Sequence, residues 1–255
     1  MSQDERGQLD RALRRARLSA YPAGEFVGQE SFMSASEILA LARRAGVAPG
    51  CAVLDLCCGV AGPGRLIARE LGGTYLGVDS CTAAIDIARD RARGLGCRFE
   101  ISRIPPLPEG RYDVVLLLET VLAFRDKATL LREVSSALGL GGRFVFTLEE
   151  GQPLTEAERA RMPNADTVWL TPLTEILTLL DRAGLGVRWH AECTQAHRAV
   201  VDSLAGAFND DAHHIAAQIG HGTLEELLIS HRLWSEWLGS GRVRKLAFIA
   251  EKTAP

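Results

Sequence analysis

The chain has 255 residues, of which 47% are hydrophobic, and a formal net charge of −3. This length suits one α/β domain with a helical addition, and the mild acidity argues against a nucleic-acid partner. The sequence shows neither a membrane-length apolar run nor a signal peptide at its N-terminus, so we expect a cytoplasmic monomer or homodimer without a membrane partner. The six cysteines form no C-x-x-C pair and have no histidines at zinc-binding spacing, so no metal site is predicted.

Apolar strand patterns alternate with helical patterns along most of the chain. Long apolar runs such as 114–118 are typical of strands buried on both faces, which indicates a parallel sheet. The helix predicted near 127–138 is expected to end at the glycines that follow it, Gly139, Gly141 and Gly142. We therefore predict a doubly wound, mostly parallel α/β sheet of seven strands. The strands are predicted at 52–56, 74–78, 98–102, 112–118, 143–149, 185–193 and 243–251, and helices near 34–45, 63–71, 81–94, 127–138 and 172–183.

Two regions lie outside this alternation. We predict an N-terminal helical cap at 1–32, an α/β core at 33–194, a helical lid at 195–240 and a last core strand within 241–255. In the lid, Thr223 and Glu226 have the spacing of a capping box that opens a helix. Ligands of open α/β sheets bind at the C-terminal edge of the strands, so a lid placed there shapes a pocket and excludes water.

The segment from Asp55 to Gly64, DLCCGVAGPG, joins the first strand to a helix. Its glycines do not follow the order of the dinucleotide fingerprint G-x-G-x-x-G. A carboxylate at this strand end, Asp55, repels a pyrophosphate and favours a ligand with a cationic end. Asp79 ends the next strand, where it is placed to accept both hydroxyls of a ribose. These features favour S-adenosylmethionine, which carries an ammonium and a sulfonium but no phosphate.

The chain resembles the class I S-adenosylmethionine-dependent methyltransferases of small-molecule type. The resemblance lies in VLDLCCGVAGP at 53–63, in Asp79, in YDVV at 112–115 and in GGRFVFT at 141–147. Cys57 and Ala61 stand where that family usually has glycine. The resemblance implies a Rossmann-like fold, S-adenosylmethionine as cofactor and a small-molecule acceptor, in secondary metabolism or a related pathway.

We expect the cofactor to be held by residues after the first four strands. Asp55 is predicted to face its ammonium, although it could instead cap the turn; Asp79 is predicted to bind the ribose, although it could instead cap a helix. The expected cofactor-binding residues are Asp55, Cys57, Gly59, Gly62, Asp79, Ser80, Ser102, Arg103, Ile104 and Glu119. Arg103 stands where the family commonly has an aspartate against adenine, and it cannot accept a hydrogen bond.

The candidate catalytic residues are Glu119, His197 and His231. Many small-molecule relatives have a histidine base a few residues beyond the fourth strand, where this chain has Ala123 and Phe124. His231 lies on an apolar helical face, which also fits a hydrogen-bonded core histidine. Without the usual base, methyl transfer to nitrogen, carbon or an acidic oxygen is favoured, driven by proximity. The alternatives are non-methylating chemistry around the bound cofactor, by cyclisation or decarboxylation, and a non-catalytic cofactor-binding protein.

Overall fold

The computed structural model describes residues 3–253, which contain a single seven-stranded sheet. The strands have the order β3-β2-β1-β4-β5-β7-β6, and all pair in parallel except β7, which runs antiparallel to β5 and β6. This confirms the predicted doubly wound α/β fold. The bounds are β1 Ala52–Leu56, β2 Thr74–Asp79, β3 Cys97–Ile101, β4 Tyr112–Leu117, β5 Leu138–Glu150, β6 Leu185–Glu192 and β7 Arg244–Lys252.

Helices cover both faces of the sheet and its C-terminal edge. The core helices are α2 Ala35–Arg44, α3 Gly62–Leu71, α4 Thr82–Arg91, α5 Lys127–Ala137 and α7 Leu173–Arg182. A short helix, α6 Glu156–Arg161, follows β5. The edge is covered by α1 Gln3–Ala20, α8 Thr194–Asp210, α9 Ala212–Ile219 and α10 His221–Ser240. None of the helices within residues 3–253 is both long and apolar enough to cross a membrane.

The central strands are buried on both faces, because their side chains belong to two separate apolar clusters, whereas the edge strands β3 and β6 are partly exposed. One cluster joins α2, α3 and α4 to one face of the sheet, and the other joins α5 and α7 to the opposite face. A third cluster, which includes Leu13, Leu204, Phe208 and Ile215, binds α1 to α8 and α9. The covering helices therefore have an apolar core of their own, as expected for a separate cap. Helix α8 and strand β7 begin close to the predicted limits of the lid.

Two local predictions are wrong. Strand β5 begins at Leu138, not at 143, because Leu138 pairs with Tyr112 before a register shift lets Arg143 pair with Val114. The three glycines therefore lie inside the strand instead of ending the helix.

The predicted capping box at Thr223 is also absent. Helix α10 begins two residues earlier, at His221, and Gly220 precedes it without a side-chain cap. A true capping box occurs at α6, where Thr155 Oγ1 accepts the Glu158 amide at 3.2 Å and Glu158 Oε2 accepts the Thr155 amide at 2.8 Å.

Candidate active site

A cavity of about 510 Å³ lies at the C-terminal edge of the sheet. Its floor is the turn after β1 together with the ends of β2 and β4, and its walls come from α1, α10 and two connecting segments. The lining residues on the sheet side are Cys57, Cys58, Gly59, Val60, Gly62, Pro63, Asp79, Leu118, Glu119 and Thr120. Those of the cap and lid are Leu9, Leu13, Arg17, Gly28, Gln29, Glu30, Ser31, Pro163, Asn164, Thr223, Glu226, Leu227 and Ser230. The structure thus brings together the predicted residues Cys57, Gly59, Gly62, Asp79 and Glu119.

The turn after β1 keeps its glycine-type shape although two of its residues are not glycine. Gly59 has φ +54°, and Cys57 and Ala61 adopt nearly the same left-handed conformation, at +56° and +59°. Left-handed backbone is unfavourable for side chains other than glycine, so the surrounding structure holds these two residues in place. Gly62 has to be glycine for a different reason, because a Cβ there would lie 2.6 Å from the Gln29 amide nitrogen. The turn therefore packs directly beneath the segment 25–33, which we call the roof segment.

Asp79 is positioned by the backbone for the role that the sequence predicts. Its Oδ1 accepts the Cys81 amide at 2.8 Å, and its Oδ2 accepts the Gly59 amide at 3.0 Å. Each carboxylate oxygen has two lone pairs, so both can still accept a hydroxyl. The carboxylate lines the cavity, so this site fits the ribose of a nucleoside. Its neighbour Ser80 is exposed and lies outside the cavity lining.

Asp55 lies below the turn and does not line the cavity. Its carboxyl is 3% exposed and accepts a hydrogen bond from the Tyr75 hydroxyl. Burial raises the pKa of Asp55 to about 7, although the Tyr75 hydrogen bond opposes the increase. Gly64 makes this contact possible, because a Cβ there would overlap the Tyr75 ring. The hydrogen bond to this carboxyl comes from Tyr75 on β2 and not from an amide of the turn. The turn-capping role and contact with a cofactor ammonium therefore both stay predictions.

The residues predicted to contact adenine, Ser102, Arg103 and Ile104, do not line the cavity. Ser102 and Arg103 line a separate depression beyond β3, which Leu107 and Tyr112 also line. Ile104 packs against the apolar cluster on the α5 and α7 side of the sheet. The Ser102 amide donates to the Asp79 carbonyl oxygen at 2.9 Å, so Ser102 adjoins Asp79. None of the three residues lines the cavity, and their contacts with adenine remain predictions.

Glu119 follows β4 in a left-handed conformation, with φ +63°. Its Oε1 is 2.5 Å from Lys245 Nζ, and its Oε2 accepts the Phe32 amide at 3.2 Å. Thr147 Oγ1 lies 3.1 Å from Oε1 and also accepts the Glu119 amide at 2.7 Å. Burial alone would raise the pKa of Glu119, but the charges of Lys245 and His197 outweigh it and lower the pKa to about 2. A carboxylate with so low a pKa, already bonded to Lys245, Thr147 and the Phe32 amide, is a weak proton acceptor at neutral pH.

His197, on α8, is 1% exposed and lies outside the cavity lining. Its Nε2 is 2.9 Å from Glu37 Oε1, and its Nδ1 is 3.7 Å from Glu119 Oε1. Burial opposes a charge on the ring, but Glu119 and Glu37 outweigh it and raise the pKa of His197 to about 10. The ring is therefore an imidazolium, which cannot take up a proton from an acceptor.

A chain of buried charges continues from His197 into the sheet. Lys245 of β7 lies between Glu119 and Glu149, and its side chain is 2% exposed. Burial raises the pKa of Glu149, while Lys245 partly offsets the effect. We call Glu37, His197, Glu119, Lys245 and Glu149 the buried charge network. The sequence analysis did not include Lys245, because it stands beside Arg244 at the start of β7, before the apolar run 246–250, and no local pattern indicates its burial.

His231, on α10, has the environment of a core histidine. Its Nδ1 is 2.8 Å from the Leu227 carbonyl oxygen, so this nitrogen donates the hydrogen bond. The ring meets Phe32 and Phe208 edge-on, and burial lowers its pKa. It does not line the cavity. The structure gives His231 a packing role, and its predicted catalytic role has no support from the geometry.

The roof segment overlaps the predicted cap at 1–32, but none of its residues was among the expected cofactor-binding or catalytic residues, and it closes the cavity. The Gln29 side chain donates to the carbonyl oxygens of Glu25 and Met33 at 2.8 and 2.9 Å and accepts the Val27 amide at 2.7 Å. The Tyr21 hydroxyl donates to the Ser31 carbonyl oxygen at 2.5 Å. These bonds, with the Glu119 contact to the Phe32 amide, fix the segment over the turn. Its glycine and polar residues gave no sequence pattern that marks a ligand.

The geometry agrees with comparisons to known proteins. A family model described as "Methyltransferase domain" matches residues 48–183. The chain therefore belongs to the methyltransferase domain family, which confirms the resemblance drawn from its sequence motifs.

Among its relatives is Methyltransferase GfsG of Streptomyces halstedii, 31% identical over 112 residues that make up 42% of this chain and 40% of the relative. The match therefore spans well under half the length of that curated relative.

Two solved structures show the same fold across the whole chain. The cyclopropane synthase MmaA2 from Mycobacterium tuberculosis aligns with a TM-score of 0.81 at 12% identity, covering 96% of this chain and 94% of the other. The [4+2]-cyclase SpnF aligns with a TM-score of 0.75 at 17% identity, covering 96% of this chain and 93% of the other. At such low identity these likenesses establish the architecture, including the helical cover, and no particular reaction.

Proposed function

We propose that this protein transfers the methyl group of S-adenosylmethionine to a small organic acceptor at nitrogen, carbon or an acidic oxygen. The observation that carries the proposal is one cavity that unites the glycine turn, Asp79, the end of β4 and the apolar and polar residues of α10. The bound cofactor supplies a methyl group already activated by its sulfonium. The chain's own contribution is to bind, align and exclude water.

The protonation states of the buried groups support transfer without a histidine or glutamate base. Glu119 is held ionised by Lys245, and His197 is held protonated between two carboxylates. His231 lies outside the cavity lining. An acceptor that needs its proton removed in the transition state gains about 10²–10⁴-fold from a positioned base. The arrangement therefore favours an acceptor atom that is already nucleophilic or acidic at neutral pH.

Two measurements test this function. Calorimetry with S-adenosylhomocysteine, the product that methyl transfer leaves, tests the cofactor site, and Asp79→Ala should weaken that binding by at least roughly tenfold, as expected for lost hydrogen bonds to a ligand. The exposed Asp166 provides a matched control, Asp166→Ala, which should bind normally. Incubation with S-adenosylmethionine and a metabolite extract should yield a product heavier by one methylene, about 14 Da, together with S-adenosylhomocysteine.

A second candidate function keeps the cofactor but not the transfer, and its support is the whole-chain likeness to the [4+2]-cyclase SpnF. In that case a product would form without a change in mass and without release of S-adenosylhomocysteine. Quantifying S-adenosylhomocysteine against product separates the two. A wild-type protein that binds no S-adenosylhomocysteine at millimolar concentration would refute both.

A further inference from the structure

Arg17, on the inner face of α1, has unused hydrogen-bonding capacity at the cavity. Its side chain is 13% exposed and lines the cavity. Within residues 3–253 it makes one ion pair, with Glu30 Oε1 at 3.5 Å, and no hydrogen bond. A guanidinium has five N–H donors in a planar fork that matches a carboxylate. Removing such a group from bulk water without hydrogen bonds is costly, so it is expected to meet an acceptor in the working protein.

The charges around the cavity make Arg17 distinctive. It is the only positively charged side chain among the described residues that line the cavity, where Glu30, Asp79, Glu119 and Glu226 supply negative charge. An anionic group entering this cavity therefore has a single charged side chain to pair with. The bidentate geometry of arginine favours a carboxylate or phosphate over other anions.

Glu30 places the Arg17–Glu30 pair at the glycine turn. Glu30 belongs to the rigid roof segment, and its Oε2 lies 3.4 Å from the point that a Cβ on Gly59 would occupy. The pair presents a cation and an anion side by side. An α-amino acid is its complement, since ammonium and carboxylate are attached to one carbon.

We infer that Arg17 and Glu30 bind the amino-acid end of S-adenosylmethionine, with Arg17 donating to the carboxylate and Glu30 accepting from the ammonium. This inference rests on the proposed function and assigns to Glu30 the contact that the sequence analysis assigned to Asp55. Asp55 already accepts the Tyr75 hydroxyl below the turn. The cap would then be part of the cofactor site as well as a cover over it.

The test compares ligands that differ only at the amino-acid end. Binding of S-adenosylhomocysteine, of its decarboxylated analogue and of its deaminated analogue is measured by calorimetry for wild type, Arg17→Gln and Arg17→Lys. Arg17→Gln should weaken S-adenosylhomocysteine by roughly 10- to 100-fold, the range for a charged hydrogen bond, and change binding of the decarboxylated analogue by less than about twofold. Arg17→Lys keeps the charge but loses the planar fork, so its affinity for S-adenosylhomocysteine should lie between those of wild type and Arg17→Gln.

Glu30→Gln should show the converse selectivity, weakening S-adenosylhomocysteine but sparing the deaminated analogue. Arg14→Gln is the matched control, because Arg14 is exposed on the same helix and does not line the cavity. Equal losses for S-adenosylhomocysteine and the decarboxylated analogue would overturn the assignment of the carboxylate to Arg17.

An unchanged affinity for S-adenosylhomocysteine in Arg17→Gln would also overturn it. If the same variant instead raised the KM of an acidic acceptor, the carboxylate would belong to the acceptor. In either of these outcomes the inference fails, but the proposed function stands as long as the wild-type protein binds S-adenosylhomocysteine.

Discussion

Replacing His197 by glutamine should remove a pH-dependent part of the free energy of unfolding. The ring is buried between Glu37 and Glu119, and these carboxylates, against the effect of burial, raise its pKa from 6.5 to about 10. A basic group with a raised folded-state pKa stabilises the protein fully below its unfolded-state pKa, and that stabilisation is lost as the pH rises through the folded-state value. The window is therefore pH 6.5 to about 10.

The size of the effect follows from the same shift. Each pKa unit corresponds to about 1.4 kcal/mol, so the charged ring contributes at most about 5 kcal/mol at pH 6. We expect His197→Gln to lower the free energy of unfolding by about 3–5 kcal/mol at pH 6. The difference from wild type should shrink to within about 1 kcal/mol at pH 10, because the wild-type ring is then only about half protonated and its charge contributes well under 1 kcal/mol.

Urea unfolding followed by tryptophan fluorescence at pH 6, 8 and 10 measures this difference directly. The comparison between variant and wild type matters because other groups titrate in the same range. Burial lowers the pKa of Lys127 to about 8, so that residue makes the folded state more stable as the pH rises above 8. This contribution is common to both proteins and cancels. A variant that lost the same free energy at pH 6 and at pH 10 would refute a charged His197.

Three further predictions concern single contacts. Lys245→Met should cost about 3–5 kcal/mol, because it leaves the buried Glu149 without a counter-charge and Glu119 with His197 alone. Calorimetry should show the melting temperature falling by on the order of 10 °C, and a fall within 2 °C would contradict a buried charge network. Gly62→Ala should weaken S-adenosylhomocysteine binding by at least roughly tenfold, because the new methyl group meets the roof backbone at 2.6 Å. Gly206→Ala is the control, because its new methyl group has open space around it; it should bind S-adenosylhomocysteine normally and gain up to about 1 kcal/mol in free energy of unfolding. Equal binding by the two variants would argue against the contact between Gly62 and the roof segment. Tyr75→Phe should cost about 1–3 kcal/mol by leaving Asp55 without its donor, seen as a lower urea midpoint at pH 8; an unchanged midpoint would mean that the carboxyl finds another partner.

Most of the fold could be predicted from the sequence because strand and helix patterns are local. Each of the seven predicted strands overlaps an observed one, and β1 matches at both ends. The error at β5 came from reading glycines as a helix end, while the pairing of Leu138 with Tyr112 is a long-range contact that no local pattern contains. The misplaced capping box has the same origin, since the T-x-x-E spacing permits a cap without requiring one.

The parts of the site that depend on local backbone geometry could be predicted from the sequence. The parts that depend on which side chains are buried together could not. Asp79 and the glycine turn occupy their expected places, because a strand followed by a tight turn fixes their position. Glu119 and His197 were predicted near the cavity, but their protonation depends on Lys245 and Glu37, which come from distant parts of the chain. Sequence alone cannot supply the distances that decide a pKa.

The place of β7 between β5 and β6 bears on how the chain is made by the ribosome. Glu149 emerges 96 residues before Lys245, its partner in the finished sheet, and Glu119 emerges earlier still. Until β7 is translated, strand β6 lacks its neighbour, Glu149 lacks its counter-ion, and Glu119 has only His197 as a positively charged partner. A nascent polypeptide halted before Arg244 would therefore expose an unfinished sheet edge, a template for aggregation that chaperones recognise.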